Sequence, residues 1–213
     1  MVNFGKAFTY IFEDENWFDK LIVPILVSLI PVVGTMAFLG YTLRTAKNVA
    51  YNEARPLPVF SFSEDLRRGF RYFLVRLVYS LPIMIVAGVM SIPLFMIDNN
   101  NSIGIIAVVF IIFGSLIIVA FSLFIAFLQP IAMANFAVKD TFSSAFEWGN
   151  FFRRLRNNFP AWLLVLAGGL ISGFIAPLGS VLLIIGAVIT SSYSQLMIAH
   201  LAGQAYTASE SQQ

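Results

Sequence analysis

From Ile103 to Val138 the chain carries no charged side chain, and the heart of that run, Ile105 to Phe127, reads IIAVVFIIFGSLIIVAFSLFIAF. A hydrocarbon core about 30 Å thick takes roughly 20 apolar residues of helix, and this run is longer. Polar and apolar residues do not alternate along it, so it offers no face to water. The pattern predicts a transmembrane helix over 103–138. A second full span is predicted over 64–97, with Pro82 and Pro93 as kinks. Asp98-Asn-Asn-Asn-Ser102 reads as the turn between the two. No formally charged residue occurs from Asn157 to Ser209. That stretch predicts a helical hairpin over 157–206, divided at Pro177-Leu-Gly179-Ser180, and then a frayed tail over 207–213.

The N-terminal third admits more than one arrangement. Leu21 to Leu43 is apolar but broken by Pro31 and Gly34. It is either one kinked span or a short hairpin, and irregular backbone at membrane depth requires shielding by protein. An internal echo favours a hairpin over 21–54. Phe4-x-x-Ala7-Phe8 is repeated as Phe142-x-x-Ala145-Phe146, and Pro31 precedes Gly40 by the interval at which Pro177 precedes Gly186. Phe4, Ala7, Phe8, Ile11 and Phe12 form one apolar stripe, which predicts an amphipathic helix over 1–20. Phe142, Ala145, Phe146, Phe152 and Leu155 predict another over 141–156. Such helices lie flat in the headgroup layer or pack on their neighbours. Ser61-x-x-Glu64 and Ser144-x-x-Glu147 both fit a capping box. The resulting fold class is all-α: a polytopic bundle of about six membrane helices, the first two short or re-entrant, with two interfacial helices, in a single domain over 1–213.

Composition supports the class. The chain has 213 residues, 59% of them hydrophobic and 11% charged, with a mean hydropathy of +0.84. Soluble domains average about 25% charged. A net charge of +2 is too small to imply nucleic acid, and the absence of cysteine removes disulfides and thiolate chemistry. Acidic residues near the N-terminus, where a signal peptide needs a basic start, predict that this segment is retained. The placement of charge says more than its sum. The turns at 98–102 and 177–180 hold no Lys or Arg, whereas 44–76 and 139–156 are rich in both. Cytoplasmic loops carry the excess of basic residues, so those two segments and the C-terminus are expected in the cytoplasm, and the repeat places the N-terminus there too. Trp17, Lys20, Arg67, Arg68, Arg71, Arg153, Arg154 and Arg156 are then expected at the lipid headgroups, and Arg76 snorkels back from one turn deeper.

Gly40-Tyr41-x-x-Arg44, Asn48-Val49-Ala50, Leu57-Pro58 and Glu64-Asp65-Leu66-x-x-Gly69-Phe70 occur in the order seen in the DUF4013 family. The acidic residues before the first hairpin, with Trp17 and Lys20, fit it as well. The chain resembles that group of prokaryotic multi-pass membrane proteins over most of its length. More distantly, it is similar to the membrane domain fused to some glycerophosphodiester phosphodiesterases. Members often carry Glu-Trp-Asp-Asp after the Leu-Pro pair, where this chain has Val59-Phe60-Ser61-Phe62, so no fixed acidic role carries over to that loop. The resemblance implies a fold and a prokaryotic cell-membrane location, and no activity.

Candidate chemistry is sparse. His200 is the lone histidine, and intramembrane ionisable groups are functional suspects. No carboxylate or thiol shares its span, so a neutral, hydrogen-bonded imidazole is the ordinary expectation. Gln129, Asn135 and Gln195, with the run Thr190 to Ser194, either line a passage or hydrogen-bond between helices at about 0.6 kcal/mol each. Glu13, Asp14, Glu15 and Asp19 are the best metal candidates, but without a second acidic cluster they read as a solvated helix end. Asn100-Asn101-Ser102 matches a glycosylation sequon. No catalytic set can be assembled and no cofactor is called for. The expected function is that of a non-catalytic membrane protein, a scaffold, an accessory subunit of a larger complex or a lipid-organising factor. Its partners would be membrane lipids and other membrane-protein subunits. The alternative is a small transporter or channel, suggested by the broken hairpins and polar helix positions.

Overall fold

The computed structural model describes residues 2–95 and 105–210, and all regular structure among them is helical. The turn predicted at 98–102, with its sequon, lies outside the described residues. The chain divides into two compact units, Met1–Val75 with Pro130–Gln213, and Arg76–Gln129.

In the first unit the predicted N-terminal helix is reduced to one turn, α1 (Lys6–Thr9). The reason is local. Asp14 accepts the Asn16 amide at 3.0 Å, an Asx-type turn that competes with helix and lets α2 (Trp17–Ser28) start at Trp17. Residues 21–43 are not one kinked span. α2 and α3 (Val33–Ala50) are separate helices joined by a hairpin turn. The turn is a γ-turn centred on Val32 (φ 64°, ψ −66°), closed by Val33 N–H donating to Pro31 O at 2.7 Å. Gly34 lets the two arms touch, because a methyl there would collide with the Val27 carbonyl. At 12 residues α2 is about 18 Å long, too short to cross a bilayer.

α3 is the most enclosed element. Every residue from Ala37 to Leu43 is buried. α2 and α8 (Leu183–Glu210) pack against it. So does the first part of α4 (Phe62–Phe95), which crosses it where Gly40 meets the Asp65 carbonyl and Gly69 the Met36 carbonyl. An aromatic core of Tyr10, Ile11, Phe38 and Tyr41 fills the space between α2, α3 and α8, with Trp17 packed on it. α5 (Ile105–Lys139) ends beside the start of α4, where the Tyr72 and Phe136 rings lie 5.3 Å apart.

The second predicted amphipathic helix is split. Phe142–Phe146 is a 3₁₀ turn, and α6 (Trp148–Asn157) follows a break at Glu147. Ser144 caps nothing, because its hydroxyl donates backwards to the Thr141 carbonyl at 2.6 Å. At Ser61 one half of the box forms, with a different partner. Asp65, not Glu64, accepts the Ser61 amide, at 2.8 Å. α7 (Phe159–Leu178) starts on Asn158, whose side chain accepts the Ala161 amide at 3.2 Å. A 3₁₀ turn over Gly179–Leu182 leads into α8. α8 runs through Thr207 to Glu210, past the point where the sequence predicts a tail.

The second unit holds the remainder of α4 and α5. Between them an apolar cavity of about 260 Å³ is lined by Val86, Met90, Phe110 and Gly114 among others. Among the described residues four helices are long and apolar enough to cross a membrane: Phe62–Ile92, Val108–Lys139, Phe159–Val181 and Ile184–Glu210. α2 and α3 are not among them.

Candidate functional site

One set of charged groups in the first unit forms an ionic lattice whose parts come from α3, α4 and the residue that follows α5. Arg44 of α3 forks onto Asp65 at 3.2 and 3.3 Å, and Asp65 is fully buried. Glu64 lies 3.8 Å from Arg44 and 3.7 Å from Arg68. Arg68 also reaches Asp140 at 3.1 Å, and Arg71 donates to the Asp140 carbonyl oxygen at 2.9 Å. Asp140 follows α5 in a left-handed conformation (φ 52°), which turns its carboxylate and carbonyl toward α4. Three guanidinium groups therefore face three carboxylates, and the charge closes on itself. The glycine crossing explains the placement. Without side chains at Gly40 and Gly69 the helices approach closely enough for Arg44 to reach Asp65. Asn48 joins the same region by donating to the Pro56 carbonyl at 3.0 Å, and Leu57 is buried in the aromatic core.

A second arrangement surrounds His200. A polar cleft of about 280 Å³ is lined by Asn52, Glu53, Pro56, His200, Gln204 and Thr207 among others. The imidazole stacks on Tyr10 with centroids 4.2 Å apart, and its Nδ1 lies 2.7 Å from Gln204 Nε2. An amide nitrogen only donates, so Nδ1 accepts and the ring proton sits on Nε2. Gln204 also takes the Asn3 amide at 2.6 Å and donates to the Asn3 carbonyl at 3.2 Å, which fastens the N-terminal segment to α8.

The predicted interfacial residues divide into two classes. Arg67, Arg153 and Arg156 are exposed. Arg68 and Arg154 depart from the expected lipid-facing position, being 7% and 3% exposed, because each is drawn inward by an acid on another segment. Arg154 pairs with Glu210 at 2.9 Å, donates to Ser209 at 3.2 Å and lies 3.6 Å over the Tyr206 ring. Glu210 is the sole acid after Glu147. With Arg154 and Phe151 on one helical face, that lone charge was the available signal for the clamp. Trp17 packs edge-on against Phe12, and Lys20 pairs with buried Asp14 at 2.7 Å. Against the cost of its own burial, Asp14 is held below the usual carboxylate range by Lys20 and by the Asn16 amide. The Lys139 hydrogen bond does the same for Glu147.

The acidic run does not converge. Glu13 goes to Thr9 and Lys6, Asp14 to Lys20, and Glu15 to Arg55 at 3.2 Å. Among the described residues no three His, Cys, Asp or Glu side chains are grouped for a metal ion. Gln129 and Gln195 are half-buried, whereas Asn135 is buried and its Oδ1 has no protein partner. The smaller polar groups in the helices act as stitches. Ser172 and Ser194 each donate to the other's carbonyl, at 3.3 and 3.4 Å, and Thr190 donates to Ala176 O at 2.7 Å.

A family model described as "Protein of unknown function (DUF4013)" matches residues 23–200. The glycine crossing, the Arg44–Asp65 pair and His200 all fall within that range. Comparison with curated proteins and with solved structures returned no match.

Proposed function

Because the chain belongs to the DUF4013 family, whose description assigns no activity, its role has to be argued from these sites, and we propose that it is a non-catalytic integral membrane protein serving as a scaffold or accessory subunit that also organises lipid around itself. One observation carries the reading: the charged groups that α3, α4 and the residue after α5 bring together inside the first unit pair with one another. Three arginines close on three acids, and Ser172, Ser194 and Thr190 close on backbone carbonyls. Long apolar faces meanwhile remain open. Only 6% of the membrane window of α5 and 11% of that of α4 are buried, which leaves them free for lipid or for a partner's helices. The ion pairs between 64–71 and 140 bring two basic segments together, and the bonds of Asn3 to Gln204 bring the N-terminal segment to α8. Both facts support a cytoplasmic basic end with both termini there, in a prokaryotic cell membrane.

The polar cleft at His200 and Glu53 favours a second reading, a small carrier that binds a solute at this end. Reconstitution separates the two. The scaffold reading expects no flux above protein-free liposomes across a panel of ions and small solutes, and a stoichiometric membrane partner on mild purification. Saturable, selective passage lost in Glu53→Gln, at the cleft lining, would overturn it.

A further inference from the structure

α6 enters a predicted membrane span directly, since only Asn158 separates Asn157 from Phe159. Phe151 and Arg154 are its buried residues, and Arg154 ties that face to Glu210 of α8. The remaining face is sorted in a definite way. Trp148, Phe152 and Arg156 follow one another at i, i+4 and i+8, with Arg153 beside Arg156. All four are exposed, Trp148 and Phe152 by 47% and 59%. Gly149, on the same side, has open space where a side chain would stand. Arg153 donates only to the neutral Asn150 amide, at 2.6 Å, and neither Arg153 nor Arg156 has an acidic partner among the described residues. The outward face thus has an aromatic edge and a cationic edge, and its positive charge is uncompensated.

We propose that the outward face of α6 binds the headgroups of anionic phospholipids, Arg153 and Arg156 holding phosphate oxygens while Trp148 and Phe152 enter the border of the acyl chains. Charge complementarity selects anionic over zwitterionic lipid, and arginine suits a phosphate because its planar fork donates two parallel hydrogen bonds. The aromatic edge selects a lipid over free phosphate, because amphipathic and apolar rings settle at the membrane–water boundary. Arg154 takes no part, although it lies between the two ligands in sequence. The inference deepens the lipid-organising reading and rests on α7 spanning the membrane, whichever leaflet α6 lies on.

The test uses the full chain in nanodiscs of phosphatidylcholine, with Trp148 left as the only indole by W17F and W162F. Brominated phosphatidylglycerol or brominated phosphatidylcholine is added at equal mole fraction. The expected result is more efficient quenching by the anionic lipid, with a preference of about thirtyfold, the scale two arginines give at an anionic surface. The preference should disappear in R153Q/R156Q and resist millimolar inorganic phosphate. Equal quenching by the two lipids overturns the proposal, and so does competition by phosphate. Quenching by neither overturns it together with the spanning reading, which separates the two failures. Should the single-indole chain not fold, native mass spectrometry of the wild-type chain from mixed micelles gives the same decision. Retained phosphatidylglycerol that falls to the phosphatidylcholine level in R153Q/R156Q is expected, and an unchanged preference in that variant refutes the proposal.

Discussion

Asp14 and Lys20 make a buried pair at the entry to α2, with the carboxylate almost wholly enclosed. Hydrogen bonds to charged groups contribute about 1.5–3 kcal/mol, so Asp14→Asn should lower the thermal midpoint in detergent by several degrees. The pH dependence follows from the lowered carboxyl. Its stabilisation is complete above the unfolded range, near pH 4, and is lost as pH falls through the still lower folded value. Thermal midpoints measured from pH 6 down to 3 should therefore fall for the wild type and fall less for D14N. The three arginines of α6 offer a sharper contrast. Removing Arg154 leaves Tyr206 without its cation and the exposed Glu210 without its partner, and hydrogen bonds to a charged group contribute about 1.5–3 kcal/mol. Arg153→Gln should change stability by less than about 0.5 kcal/mol. Equal losses from R153Q and R154Q would show that α6 does not pack as described. In the sequence these arginines are indistinguishable, because burial of one of them depends on Glu210, more than fifty positions away.

Among the helices, the longest apolar run is the least enclosed and the most enclosed helix is the one hardest to recognise. α5 owes its apolar composition to lipid, and 6% of its window is buried; that element was legible because a uniformly apolar helix of that length has few other uses. α3 combines glycines, threonines and an arginine, a mixture that suits contact with other helices. The tight turn at Pro31 to Gly34 was visible as a break, and the internal echo pointed to the hairpin. Over 1–20 the apolar stripe held in part, with Ala7 and Ile11 buried but Phe12 exposed, and the Asp14 side chain competed successfully for the backbone. The glycines make the packing testable. Gly40→Ala and Gly69→Ala each force a methyl into a facing carbonyl and should lower detergent stability by several degrees, whereas Gly88→Ala meets open space and should not. Denaturation followed by tryptophan fluorescence reads all three, and comparable losses would exclude the close crossing.

At the level of the whole chain, the absence of cysteine makes topology measurable without a background to remove. Asn150→Cys and Ser180→Cys mark α6 and the far turn of the last hairpin. An impermeant maleimide should label S180C in intact cells and N150C only after permeabilisation. Labelling of both in intact cells would remove the assigned orientation. The helical class and the long apolar helices were readable from apolar length. The contacts that join the segments were not, since hydrogen bonds between residues 50 and 207 or 3 and 204 leave no periodic trace. They have a consequence for biogenesis. Gln204 holds Asn3, Thr207 holds the Ala50 carbonyl, and Glu210 holds Arg154, so three earlier stretches of chain are secured by one short stretch near the finish. A nascent polypeptide with everything before Gly203 already inserted has none of these fastenings and leaves Arg154 without its acid. A polypeptide interrupted before Gly203 therefore stands open at three places at once, around Asn3, Ala50 and Arg154.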